Sequence, residues 1–292
     1  MMNYRSPSRI VFEAGNIIFM ILFSASILIP FINVLAISVS DAKAVREGTV
    51  GLWPVGFQLD AYKKLIDNSL FMRSLLNTVF LTVTNTALVI LFSLSSAYAL
   101  ASKNLIGRTP IFYYFLITMF FNGGLVPTYL LVTNLGLYNT YGALIFPAVV
   151  SIFYIIVFKN VIAQLPKELL ECAEIDGAGD FMILFRIVLP LVLPMTMAFI
   201  IFSAVNYWNE WFSVMIYTRD QNLWTLQYHL RDLLISSTPN KPGLDYLQQL
   251  KEVDPRKLKM AALMTTVLPI IAIYPFVQKY FIHGQLVGAV KG

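Results

Sequence analysis

The sequence predicts an all-α, polytopic membrane protein of six transmembrane helices, with both termini on the cytoplasmic side. Three observations carry that expectation. Of 292 residues, 58% are hydrophobic and 13% charged, about half the charged share of a soluble domain. The mean hydropathy is +0.70. The charges also leave long gaps at 14–40, 74–102, 109–158, 187–209 and 260–278.

A helix rises about 1.5 Å per residue, so about 20 apolar residues cross a ~30 Å hydrocarbon core. Four gaps therefore hold one span each. The longest holds two, divided at Thr133-Asn134-Leu135-Gly136-Leu137-Tyr138-Asn139, where turn formers cluster. The spans read 14–40, 74–101, 110–132, 140–159, 188–216 and 260–281, within a single transmembrane domain over 1–292. An open sheet cannot turn unpaired edges to lipid, and barrel strands would be shorter and alternating. The first span could also be read as a signal peptide, since Arg5 and Arg9 precede it and Ser38-Val39-Ser40 looks cleavable. Its apolar stretch is about twice the 7–15 residues of a signal core, which favours a span. Orientation follows the short loops: Lys103 and Arg108 mark an inner loop, and 133–139 carries no positive charge.

Several functions are excluded. The net charge of +5 comes without basic clusters, so nucleic acid is not a partner. Cys172 is the single cysteine, so there is no internal disulfide. His229 and His283 fall on opposite membrane faces, which argues against the shared site of a membrane-bound glycosyltransferase. No span interior carries the ionisable relay of a secondary transporter. No G-x-x-x-x-G-K-[ST] loop is present, so ATP would have to be held by another polypeptide.

Segment 160–190 is not a plain connector. Pro166 suits a helix start, Glu168 and Glu171 favour an early turn, and Gly177 is a natural stop. The pattern predicts a short acidic-faced helix, a glycine turn and a second short helix leading to Pro190. A docking bracket for a soluble partner and an ordinary amphipathic surface helix are both compatible with it. Segment 218–259 would lie outside and is too long for a passive connection. A short interfacial helix is expected at Asp60–Asp67, with Trp53 at headgroup level. Polar groups within spans, Asn77, Thr82, Thr84, Asn85, Asn122 and Asn206, should face other helices or a cavity. Trp208 and Trp211 suit sugar stacking or an interfacial belt equally.

Glu171-Cys172-Ala173-x-x-Asp176-Gly177-Ala178, with Pro190 in register, resembles the E-A-A-x-x-D-G-A loop of ABC-importer permeases; Cys172 stands where the family usually has alanine. The tail Gly284–Gly292 is similar to that of the maltose-type, MalG-like branch of carbohydrate importers. Asn77, Gly107-Arg108 and Asn206-Tyr207-Trp208-Asn209-Glu210-Trp211 also look family-like. Phe121-Asn122-Gly123-Gly124 through Tyr129 resembles the subgroup serving oligosaccharides and polysaccharides, some of them uronates.

The resemblance implies a type I importer permease fold in a bacterial cytoplasmic (inner) membrane. It implies a homologous second permease, two copies of a cytoplasmic ATPase that bind ATP and Mg, and an extracytoplasmic solute-binding protein. No cofactor is expected in this chain, which would be a transport subunit rather than an enzyme. Glu171, Cys172, Ala173, Asp176, Gly177, Ala178 and Pro190 would couple to the ATPase, Glu171 through charge and the alanines through close approach. Gly288, Val290, Lys291 and Gly292 would reach between the ATPase subunits. Asn77, Asn85, Asn122, Asn206, Trp208 and Asn209 are possible translocation-path residues. A permease for a non-sugar solute is the alternative.

Overall fold

The computed structural model describes residues 7–235 and 254–289. The regular elements there are all helical. In chain order they are α1 (Pro7–Ser38), α2 (Ala42–Glu47), α3 (Asp60–Asp67), α4 (Ser69–Ala101), α5 (Arg108–Phe120), α6 (Leu125–Asn134), α7 (Tyr141–Ile145), α8 (Ile152–Ile162), α9 (Lys167–Ile175), α10 (Asp180–Ile183), α11 (Leu189–Leu191), α12 (Leu193–Trp208), α13 (Phe212–Tyr217), α14 (Leu226–Ile235) and α15 (Pro255–Ala289). They divide into two compact units. One is Met1–Ser69 with Leu230–Leu268, the other Leu70–His229 with Pro269–Gly292.

In the first unit, α1 is apolar on all sides, and the 18-residue stretch that best suits a span has no buried residue. Such a helix suits a lipid or protein surround rather than water. Only its last turn is covered, at Ala36, Ile37 and Ser38, where Ser38 Oγ and the Tyr62 hydroxyl of α3 lie 2.8 Å apart. Asp41 caps α2 through the Lys43 amide at 3.1 Å. The amphipathic α3 buries Ala61 and Leu65. Its first residue, Asp60, accepts a hydrogen bond from Lys257, whose side chain is fully buried in the first turn of α15.

The second unit is built on α4. Val89, Ile90, Leu94, Ala97 and Leu100 join Ile155, Phe158 and Ile162 of α8, Ile183 and Leu184, Val188, Val192 and Phe199 in one apolar cluster. Phe199 stacks on Tyr154 at 4.2 Å and meets Phe158 edge-on at 5.0 Å. A smaller cluster gathers Leu81, Val132, Ala143, Leu144, Val214 and Tyr217 nearer the other end of α4.

Among the described residues, two helices are long and apolar enough to cross a membrane, and up to five spans result if each bent pair counts as one. The continuous stretches are Arg9–Ser38 and Ser69–Ala101. The others are broken. Where the sequence predicts one helix over 110–132, α5 and α6 meet at 115°. Gly124, at φ +89° and ψ 176°, is the physical reason, because only glycine adopts that backbone without strain. Tyr141–Ala148 meets α8 at 41°, and Asp180–Leu191 meets α12 at 87°. The last bend follows a π-helical turn over Leu184–Val188 and lies between Pro190 and Pro194, whose rings cannot donate to the helix ladder. The predicted segment 260–281 falls within α15. Of segment 218–259, expected on the outer side, residues 236–253 lie outside the described residues.

Candidate functional site

The 160–190 segment folds as a bracket. Pro166 precedes α9 and Glu168 sits in its first turn, where the helix dipole favours negative charge. At the far end, Gly177 takes φ +80°. The Ala178 amide donates to the Ala173 carbonyl at 2.9 Å, and the Gly177 amide to the Glu174 carbonyl at 3.0 Å. That bond pair is the helix stop that a left-handed glycine permits. Asp180 then opens α10, and its carboxylate accepts from the Tyr98 hydroxyl of α4 at 3.3 Å.

The bracket has two faces. Leu165, Leu170, Ala173 and Ala178 pack on the large apolar cluster of α4 and α8, so the alanines give close approach to this chain's own core. Glu168, Leu169, Glu171, Cys172, Ile175, Asp176 and Gly177 are exposed, and so are Phe181 and Met182. Pro190 is exposed at the entry to the bend before α12. One flank of α9 is basic. Lys167, both as a hydrogen-bond partner and as a like charge, holds the exposed Lys103 ammonium below its usual range, with Arg108 adding to the effect.

The predicted path residues do not form one cluster. Asn77 is buried, and three of its four hydrogen-bonding positions are used. It donates to the carbonyls of Asn222 at 2.7 Å and Trp224 at 3.0 Å, and accepts from the Tyr141 hydroxyl at 2.8 Å. Asn85 is buried and donates to the Leu144 carbonyl at 3.1 Å. Asn209 donates to the Val205 carbonyl and accepts from Gln227 at 2.9 Å. Trp208 is buried, and Asn206 is exposed on α12. Asn122 stands apart, exposed in the turn between α5 and α6, where it accepts from the Gly124 amide at 2.9 Å. Of the tail, Gly288 falls near the end of α15, and Val290, Lys291 and Gly292 lie outside the described residues.

In the sequence, Asn139 reads only as a turn residue. It adopts φ +60°, its amide donates to the Tyr217 carbonyl at 2.8 Å, and its Oδ1 accepts from the amides of Arg219 and Asp220 at 2.8 and 2.9 Å. It thereby ties the 133–139 turn to the start of segment 218–259. Asparagine's tolerance of left-handed backbone was the available signal.

Residues 2–286 match the family described as binding-protein-dependent transport system inner membrane component. The chain is 37% identical over 274 residues to the polygalacturonan/rhamnogalacturonan transport system permease protein YtcP of Bacillus subtilis (strain 168), covering 94% of this chain and 96% of that one. It is 38% identical over 283 residues to protein LplC of the same organism, covering 97% and 95%. A solved chain from a bacterial ABC transporter that imports the acidic polysaccharide alginate superposes with a TM-score of 0.88 at 28% identity, over 96% of this chain and 100% of that one.

Proposed function

The chain belongs to the family of binding-protein-dependent transport system inner membrane components, and from that premise we propose that it forms half of the membrane pathway of an ATP-driven carbohydrate importer. It is a transport component and not an enzyme. The cargo we assign is an oligosaccharide, with acidic, uronate-type chains favoured by the named substrates of the similar permease and the similar alginate importer. The finer architecture we assign is six spans with both termini cytoplasmic, a homologous second permease, two ATPase copies that bind ATP and Mg, and an extracytoplasmic binding protein.

The two-faced bracket is the observation that carries the coupling role. Ala173 and Ala178 fasten α9 to the core through Leu170 and the α4–α8 cluster, and Glu171, Cys172 and Asp176 face outward. A partner that pushes on α9 would therefore move packed helices rather than a slack loop. ATP binding to the ATPase pair would favour one arrangement of the spans and hydrolysis the other, through contacts that differ between the two states. Glu171 supplies the charged contact, and the 184–188 π turn with the bend at Val192 gives the motion a place to be absorbed.

The test is co-purification of the complete complex, followed by ATPase measurement with binding protein loaded from a panel of oligogalacturonides and alginate oligosaccharides. Severalfold stimulation by one of them is expected, and Glu171→Ala should abolish it. Stimulation by none of them would remove the cargo assignment. A Glu171→Ala complex with wild-type stimulation and transport would remove Glu171 from the coupling contact.

A further inference from the structure

The run from Thr109 to Phe158 carries no charged residue, and α5 with α6 is together long and apolar enough for one broken span or a re-entrant loop, which suits membrane depth. The chain between them is nonetheless not helical. α5 has 13 residues and is about 20 Å long, so it ends well short of the far side of a ~30 Å hydrocarbon core. The Phe121 amide closes α5 on the Ile117 carbonyl at 2.9 Å, and the Gly124 amide is taken by Asn122 Oδ1. Among the described residues, no acceptor meets the amides of Asn122, Gly123, Leu125 or Val126.

Irregular backbone at this depth persists only where it meets water or protein, because unpaired peptide groups are too costly in hydrocarbon. Residues 119–127 are all exposed, so this chain does not cover them. A neighbouring transmembrane helix has its own carbonyls spent within the helix, so it could meet these four amides only through side-chain acceptors. Water can do so, and so can the hydroxyls of a sugar. Beside these donors stand Phe120 and Phe121, 76% and 77% exposed. Flat apolar rings next to free donors match a pyranose, which has an apolar C–H face and a polar rim.

We propose that the Phe120–Gly124 elbow lines the aqueous translocation route, and that Phe120 and Phe121 are the stacking surface over which the carbohydrate passes. The cargo part rests on the import function proposed above; the aqueous part does not.

The test uses the complete importer in proteoliposomes. Phe121→Cys and Ile17→Cys are exposed to a membrane-impermeant cationic methanethiosulfonate and read by peptide mapping, which scores the native Cys172 separately. Residue 121 should react at least tenfold faster than residue 17, and ATP with oligogalacturonide-loaded binding protein should slow it severalfold. Per assembled complex, Phe121→Leu should lower sugar flux at least fivefold and Phe121→Trp should restore it. Reaction at residue 121 as slow as at residue 17 would overturn the aqueous elbow. Wild-type flux in Phe121→Leu would overturn the stacking surface. If no carbohydrate stimulates the complex, the stacking surface falls with the carbohydrate reading, and the labelling contrast alone decides the elbow.

Discussion

The amide of Ala178 donates to the carbonyl of Ala173 at 2.9 Å, and the side chains of both rest on the apolar cluster that contains Leu100 and Phe158. The bond closes α9 and the packing fastens it. The face carrying Glu171 is thereby held in a fixed direction relative to α4 and α8.

That closure depends on Gly177 at φ +80°. Gly177→Ala places a Cβ in left-handed backbone, at a cost of about 1–2 kcal/mol. Gly179, at φ −76° with open space where a Cβ would stand, offers the control. Gly177→Ala should reduce the ATPase recovered on co-purification, and Gly179→Ala should leave it unchanged. Equal recovery from the two variants would mean that the turn does not set the docking face.

Asn77 joins α4 to Tyr141 and to the 222–224 segment of the second unit through three bonds. Asn77→Leu strands two backbone carbonyls and the Tyr141 hydroxyl, an unmet demand of about 1–3 kcal/mol for each group that water does not reach. The expected outcome is a lower thermal midpoint and less assembled complex, with an unchanged transport KM in the molecules that fold. A raised KM at wild-type stability would instead place Asn77 on the substrate.

Lys257 is fully buried against a partly exposed Asp60. Removing the carboxylate leaves a buried ammonium without its counter-charge, whereas removing the lysine leaves a carboxylate that reaches water. Breaking a fully buried pair costs about 3–5 kcal/mol; access of water to Asp60 lowers this to about 2 kcal/mol. Asp60→Ala should therefore destabilise the protein more than Lys257→Met in thermal unfolding of the purified complex. The reverse order would show that the lysine stem's packing outweighs the charge pair.

Tyr62, on α3, has a phenol that burial pushes above its ordinary value of 10.0, with the bond to Ser38 opposing. The folded state therefore holds this proton longer than the unfolded chain does. The resulting stability is complete below pH 10 and is lost as pH rises above it towards the folded value. Tyr62→Phe starts less stable for want of the Ser38 bond, and its deficit should narrow above pH 10 in a denaturation series. A deficit that stays constant to pH 11 would mean that the phenol titrates alike in both states.

Membrane residence and the bracket's ends were legible in the sequence because both are local. Transfer to lipid is decided by a contiguous apolar stretch, and a helix stop by Gly177 and the few residues before it. The direction of α9 was not legible: Ala173 and Ala178 looked like contacts for a partner, and only the fold shows them against this chain's own core. Asn77 read as a candidate for the path, yet its partners Asn222 and Trp224 lie 145 and 147 residues further along the chain. The elbow was hidden for another reason. The charge-free run continues across Asn122-Gly123-Gly124, so turn formers inside an apparent span conceal a 115° bend that opens at the extended Phe121 and turns at Gly124. The sequence by itself determined which stretches must leave water, since that free energy accumulates residue by residue along the chain. Which polar groups are spent on packing and which backbone stays open was decided only by the tertiary structure, because hydrogen-bond partners are set by proximity in space.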